Sequence, residues 1–134
     1  MTKRIIGVVL FDQFEMLDVH FANATLGWAV GGSTFGGQAL TTKDGGAQWT
    51  LQDVLPASGL FSVYFVDTMT GWAVGRNGYF IKTVDGGAKW TSKSLGDNII
   101  LRGVHFVDMQ FGWAVGEGGS IYKTVSGGDP LGLP

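Results

Sequence analysis

The chain has 134 residues, one domain's worth, with 9 basic and 11 acidic side chains, a formal net charge of −2 and no cysteine. Charges this evenly scattered make no phosphate-binding face and argue against nucleic acid, and without cysteine there is no disulfide, no thiolate nucleophile and no cysteine-ligated metal. The 23 glycines and 13 % aromatic content, against 3 prolines, suit many short strands joined by tight turns.

In chain order, Lys3 and Arg4 precede an apolar run from Ile5 that ends at Asp12. That run is too short for a membrane span and a poor signal-peptide core, so the chain is expected to be soluble, with no membrane partner and no compartment specified. The string Gly-Trp-Ala-Val-Gly follows three times, at Gly27 to Gly31, Gly71 to Gly75 and Gly112 to Gly116. Its tryptophans, Trp28, Trp72 and Trp113, are 44 and 41 residues apart, about the length of one four-stranded propeller blade.

A short apolar run precedes each copy: Val19 to Phe21, Val63 to Asp67 and Val104 to Asp108. After each copy comes a run into a glycine pair, Thr41 to Gly46, Lys82 to Gly87 and Lys123 to Gly128, and two copies go on to Trp49-Thr50 and Trp90-Thr91. Runs rich in Val, Phe, Trp and Thr and bounded by Gly or Asp predict consecutive hairpin strands, and nothing shows a helical period.

The third copy lacks a Trp-containing fourth strand, and a counterpart stands at the start of the chain. Ile5 precedes His20 by the interval at which Trp49 precedes Tyr64 and Trp90 precedes His105, and in that register Leu10 and Leu95 fall in one column. The predicted fold is all-β, with three four-stranded antiparallel propeller blades in one domain, 1–134. Its divisions are a permuted outer strand (Arg4 to Leu10) with a connection (1–18), repeat one (19–62), repeat two (63–103) and an incomplete repeat three (104–134).

The segments Thr42-Lys43-Asp44-Gly45-Gly46-Ala47-Gln48-Trp49 and Thr83-Val84-Asp85-Gly86-Gly87-Ala88-Lys89-Trp90 look like Asp-boxes. With Val-x-Phe-x-Asp and Gly-Trp-Ala-Val-Gly at these spacings, the chain closely resembles the propeller family of photosystem II stability and assembly factors. That resemblance implies a propeller and makes an assembly-factor role conceivable. The departures from it are Gln48 and Lys89 at the second Thr, Ser126 at the Asp of copy three, and fewer blades than family rings hold. Residues 4–19 also resemble the opening strand of PfpI-type amidotransferase-like proteins, whose chemistry needs a cysteine that is absent here.

The box residues Thr42, Asp44, Gly46, Trp49, Thr83, Asp85, Gly87 and Trp90 are expected to be structural. A turn carboxylate accepts N–H groups of its own turn, paired glycines take positive φ, and the tryptophan packs between blades. One carboxylate per turn falls far short of a calcium shell, and no metal or cofactor is expected. His20, Tyr64 and His105 share one repeat column and are expected to fill a repeated packing niche or to line the channel, where they are candidate ligand-binding residues. Asn23, Asp67 and Asp108 read as turn formers.

Arg76 and Glu117 stand in matching loops between second and third strands, and Arg102 just before a first strand. These three lie on the rim opposite the box turns, where a ligand is expected, beside apolar connections that include Phe11, Leu60, Phe61, Ile99 and Ile100. With no complete catalytic set, the expectation is a non-catalytic binding or scaffold protein with an unknown protein or small ligand. The alternatives are a sialidase-like glycosidase, for which only Arg4, Arg76 and Arg102 are at hand, and a propeller fragment whose one clear property is self-assembly. Three blades cannot surround an axis, so a homo-oligomeric ring is expected, with six blades from a dimer preferred over nine from a trimer.

Overall fold

A computed structural model describes residues 15–33, 36–52 and 58–128. The described residues form three antiparallel sheets in which each strand pairs with the next in sequence. Sheet one holds β1 (Glu15–Phe21), β2 (Gly27–Ser33), β3 (Gly36–Thr42) and β4 (Thr50–Gln52). Sheet two holds β5 (Leu60–Phe65), β6 (Gly71–Gly75), β7 (Tyr79–Thr83) and β8 (Thr91–Ser94). Sheet three holds β9 (Leu101–Phe106), β10 (Gly112–Gly116) and β11 (Ile121–Thr124). The expected permuted strand from Arg4 to Leu10 lies outside the described residues, so sheet three is described with three strands.

The first strands β1, β5 and β9 pack on one another in succession, which makes them the inner edge of the three blades. They begin at Glu15, Leu60 and Leu101, not at Val19, Val63 and Val104. Each pairs with its second strand on both sides of a bulge, with the register shifting between Met16 and Asp18, between Leu60 and Ser62, and opposite the Val115/Gly116 step. Leu17, Phe61 and Arg102 are the extra residues, and a bulged residue is turned out of the ladder and re-aimed. Arg102 therefore stands inside β9 and not ahead of it.

Asn23, Asp67 and Asp108 close the turns after the first strands. Each carboxylate or amide oxygen accepts two backbone N–H groups, Asp67 Oδ1 from Met69 at 2.8 Å and Thr70 at 2.7 Å, Asp108 Oδ1 from Gln110 and Phe111 at 2.8 Å each, and Asn23 Oδ1 from Thr25 and Leu26. These turns are tied to the glycine-pair turns by Gly45 N to Thr25 O, Gly86 N to Met69 O and Gly127 N to Gln110 O. Two turns of each blade thus share one rim. At the other rim Arg76 N donates to Gly59 O and Glu117 N to Ile100 O, fastening the loop between second and third strands to the incoming connection.

Two apolar clusters fill the two spaces between blades. Trp28, Val30 and Ala39 of blade one meet Leu60, Val63, Phe65, Ala73, Ile81 and Trp90 of blade two. Trp72 and Val74 of blade two meet Leu101, Val104, Phe106 and Ala114 of blade three. The phenylalanine ending each first strand lies across the first glycine of Gly-Trp-Ala-Val-Gly, its register partner. A Cβ at Gly71 would sit 2.5 Å from the Phe65 ring, so only glycine lets that ring settle against the sheet and present its free face to the preceding blade.

Candidate functional site

Two groups of polar and aromatic side chains line the inner strands. The first is the column His20, Tyr64 and His105, one residue from each of β1, β5 and β9. The Tyr64 ring stands 4.7 Å from His20 and 4.5 Å from His105, tilted to both. Burial among these rings lowers the His20 pKa, against the raising effects of the Phe65 backbone and the Asp18 carboxylate, so His20 favours its neutral form. Among the described residues no three metal-ligating side chains cluster.

The second group sits at the rim carrying the connections between blades, and it forms around Phe61, the bulged residue of β5. The Arg102 guanidinium lies 4.6 Å from the Phe61 ring centre and that of Arg76 lies 5.3 Å away. Two cations therefore share one aromatic ring, from β9 of blade three and from the turn after β6 of blade two. Arg102 also pairs with Glu117: its Nε donates to Oε2 at 3.0 Å and its Nη2 to the same oxygen. Among the described residues no carboxylate pairs with Arg76, which is exposed.

Of the three charged residues picked from the sequence, Arg76 and Arg102 are thus brought together by Phe61, and Glu117 joins them through Arg102. Phe61 reads in the sequence as one of several apolar residues in a connection. A signal was present, since Phe61 occupies the same repeat position as Leu17 and Arg102, but only the bulge reveals that this position faces outward. Leu60 beside it is fully buried in the first cluster.

The glycine-pair turns stand at the opposite rim. Thr42 Oγ1 donates to Asp44 Oδ1 at 2.8 Å and accepts from Gly46 N at 2.9 Å, while Asp44 Oδ1 also accepts from Gln48 N at 2.9 Å. Thr83, Asp85, Gly87 and Lys89 repeat this set at 2.8, 2.9 and 3.0 Å. The bonds from Gln48 N and Lys89 N, then those from the two threonine hydroxyls, hold both carboxyls below their ordinary pKa. Gly45, Gly46, Gly86 and Gly87 all have positive φ. Trp90 is buried, whereas Trp49, on the outward side of blade one, is half-buried: no blade among the described residues covers it.

Two features were not read from the sequence. The indole nitrogens of Trp28 and Trp72 donate to Gly86 O at 2.8 Å and Gly127 O at 2.9 Å, each reaching the glycine-pair turn of the next blade. Asp18 Oδ2 accepts from Val63 N at 2.9 Å and Ser62 Oγ at 3.2 Å, and Ser62 Oγ accepts from Val104 N at 3.3 Å. A polar side chain just after the bulge thus links each blade to the next near the inner edge.

Antiparallel blades of three or four described strands, packed face to face around an inner edge of first strands, define a β-propeller fold, with a charged, aromatic rim at one end. The family model for photosynthesis system II assembly factor YCF48 matches residues 48–130, and the chain belongs to this family. It is 34% identical over 71 residues to the chloroplastic photosystem II stability/assembly factor HCF136 of Arabidopsis thaliana, covering 52% of this chain and 17% of that protein. Among solved structures it is similar to YCF48 bound to D1 peptide, with a TM-score of 0.74 and 24% identity over 93% of this chain and 45% of that one. It is likewise similar to YCF48 from Cyanidioschyzon merolae, with a TM-score of 0.72 and 25% identity over 91% of this chain and 37% of that one. The chain spans less than half the length of each of these relatives.

Proposed function

We propose that this chain is a non-catalytic binding scaffold of the assembly-factor type, and that the Phe61 rim holds an anionic segment of a partner protein. The observation that carries this reading is the pair of exposed guanidiniums on one aromatic ring, of which Arg76 has no carboxylate partner among the described residues. A planar guanidinium fixed by stacking keeps its N–H edge free for a carboxylate and loses little freedom when it binds. A solved relative is a YCF48 bound to D1 peptide, which supports a protein segment as the class of ligand.

The glycosidase reading gains no support, since Arg102 at this rim is already taken up by Glu117 and Tyr64, in the column of the inner strands, stands between two imidazoles. The ring carrying the rim is closed by copies of the same chain, with two preferred over three. The test is calorimetric titration with short peptides ending in an acidic residue and a free carboxylate, compared with amidated, neutral versions. Binding of the acidic peptide is expected, lost in Arg76→Ala and weakened in Arg102→Ala. Equal binding by all three proteins would sink the rim assignment.

A further inference from the structure

The two outer faces of the described blades are the two halves of the interface that the chain builds twice within itself. In both internal interfaces a tryptophan of the second strand lies flat on the phenylalanine of the next blade's first strand. Trp28 and Phe65 are 3.4 Å apart and 4° from parallel, and Trp72 and Phe106 are 3.5 Å apart and 3° from parallel. The indole nitrogen then reaches the next glycine-pair turn, and the phenylalanine can meet a second tryptophan edge-on, as Phe65 meets Trp90 at 5.9 Å and 87°.

At the open end of blade three Trp113 occupies the position of Trp28 and Trp72, half-buried where Trp72 is fully buried. Lys123 lies over its ring at 6.0 Å, as Lys82 lies over Trp72 at 5.8 Å. Val115 beside it is 44% exposed, against 0% for Val74. At the open end of blade one Phe21 is 39% exposed and Val19 54%, against 3% for both Phe65 and Val63. Phe21 already meets Trp49 edge-on at 6.1 Å and 80°. Both open faces therefore keep ring contacts that the joined interfaces have, Lys123 over Trp113 and Phe21 edge-on to Trp49.

We infer that these faces dock head to tail on a second copy of the chain, with Trp113 of one copy stacking on Phe21 of the next and donating its indole N–H to the carbonyl of Gly45. This rests on the ring-closure reading above and names the surfaces that would carry it. A sheet face of this composition is apolar, and the complementary face is on the same molecule, so a heterologous contact that closes on itself buries both. Two copies bring six blades together, within the range of closed propellers.

The polar links agree with a seam at this place. Asp18 and Ser62 join the inner edges across the internal interfaces, but their counterpart in blade three is Gly103, which has no side chain to offer. The donor that would make such a link, Val19 N, already donates to Asp18 Oδ1 of its own blade at 2.9 Å. The seam thus forms without stranding a buried donor and lacks one bond that both internal interfaces have. It is the weakest joint of the ring, and association is concentration-dependent.

The experiment is native mass measurement and sedimentation of the full chain, of Trp113→Ala, of Phe21→Ala and of the two variants mixed. The expected parent is a dimer, each substitution alone weakens association at least about tenfold, and mixing restores dimers, because one intact Trp113 to Phe21 contact re-forms between the two kinds of chain. Both residues are partly exposed in the single chain, and thermal melts confirm that the variants fold. Trp113→Phe, which keeps a ring but loses the N–H, is expected to fall between. A dimer indifferent to both substitutions overturns these faces but not self-association, and a monomeric parent at tens of micromolar overturns both. Neither outcome touches the peptide titration at the Phe61 rim, which judges that assignment separately.

Discussion

The indole of Trp72 lies flat on the ring of Phe106 while its nitrogen is hydrogen-bonded to the carbonyl of Gly127, so one side chain both fills the space between two blades and fixes where the next turn sits. Stacking alone would leave the blades free to slide, and the bond at the ring's edge removes that freedom. Trp72→Phe keeps most of the apolar contact and strands the Gly127 carbonyl, which costs about 1–3 kcal/mol. Trp72→Ala also opens a cavity and costs about 3–5 kcal/mol. Urea unfolding followed by circular dichroism measures both. A Trp72→Phe protein as stable as its parent would show that the carbonyl does not depend on the indole.

The glycine-pair turns rest on threonine as much as on aspartate. Thr83 Oγ1 is nearly shut off from water, donates to Asp85 and accepts from Gly87 N. Thr83→Val keeps the shape of the side chain and leaves a buried N–H unpaired, with an expected loss of about 1–3 kcal/mol. Thr124 makes the same bond to Gly128 N at 2.9 Å in a more exposed setting, where water can replace the hydroxyl, so Thr124→Val is expected to cost less. Parallel urea titrations of the two variants decide whether burial sets the difference.

Acid is expected to loosen the blades in two stages. Burial lowers the His20 pKa, and a group with a folded value below its unfolded one lends stability that is present above the unfolded value and lost as pH falls through the folded one. Asp44 and Asp85, lowered by the Gln48 and Lys89 N–H groups and then by the Thr42 and Thr83 hydroxyls, follow the same sign in the carboxylate range. Both carboxylates are exposed, so water and salt screen their effect. Melting temperature is expected to fall as pH drops from about 7 to about 3, with Asp85→Asn flattening the lower part of the curve and His20→Gln the upper part. A melting temperature independent of pH over this range would refute both shifts.

The blades were legible because the repeat states them three times. Glycine pairs, Asp at turn starts and alternating apolar residues each name a local structure, and their recurrence at one period names the assembly. What the sequence left hidden depends on geometry between repeats. Asp18 looks like one more acidic residue near a strand, yet it bonds across to Val63 because the bulge at Leu17 turns it toward the next blade. Likewise Arg102 reads as a residue ahead of its strand, since strand patterns break at a bulge, and that break hides that Leu17, Phe61 and Arg102 share one outward position. Arg76, Arg102 and Glu117 could be chosen from loop matching alone. The ring that brings the two arginines together could not, because an apolar residue in a connection carries no mark of which way it points.

Glu117 restrains the rim, because it occupies the Arg102 guanidinium that an incoming carboxylate would otherwise engage. The pair is half-exposed, at 53% and 50% for the two side chains, so it contributes little to folding, and Glu117→Gln is expected to change stability by less than about 1 kcal/mol. The same substitution removes a negative charge from the Phe61 rim and frees a second fork of donors beside Arg76. Binding of an acidic, carboxylate-ended peptide is therefore expected to tighten by about two- to fivefold at low salt, the factor that corresponds to releasing one surface pair. Added salt should shrink the gain, as screening shortens the reach of both guanidiniums. Calorimetric titrations of parent and Glu117→Gln at two salt concentrations test this, and weaker binding by the variant would mean that Glu117 holds Arg102 in its productive pose and does not compete for it.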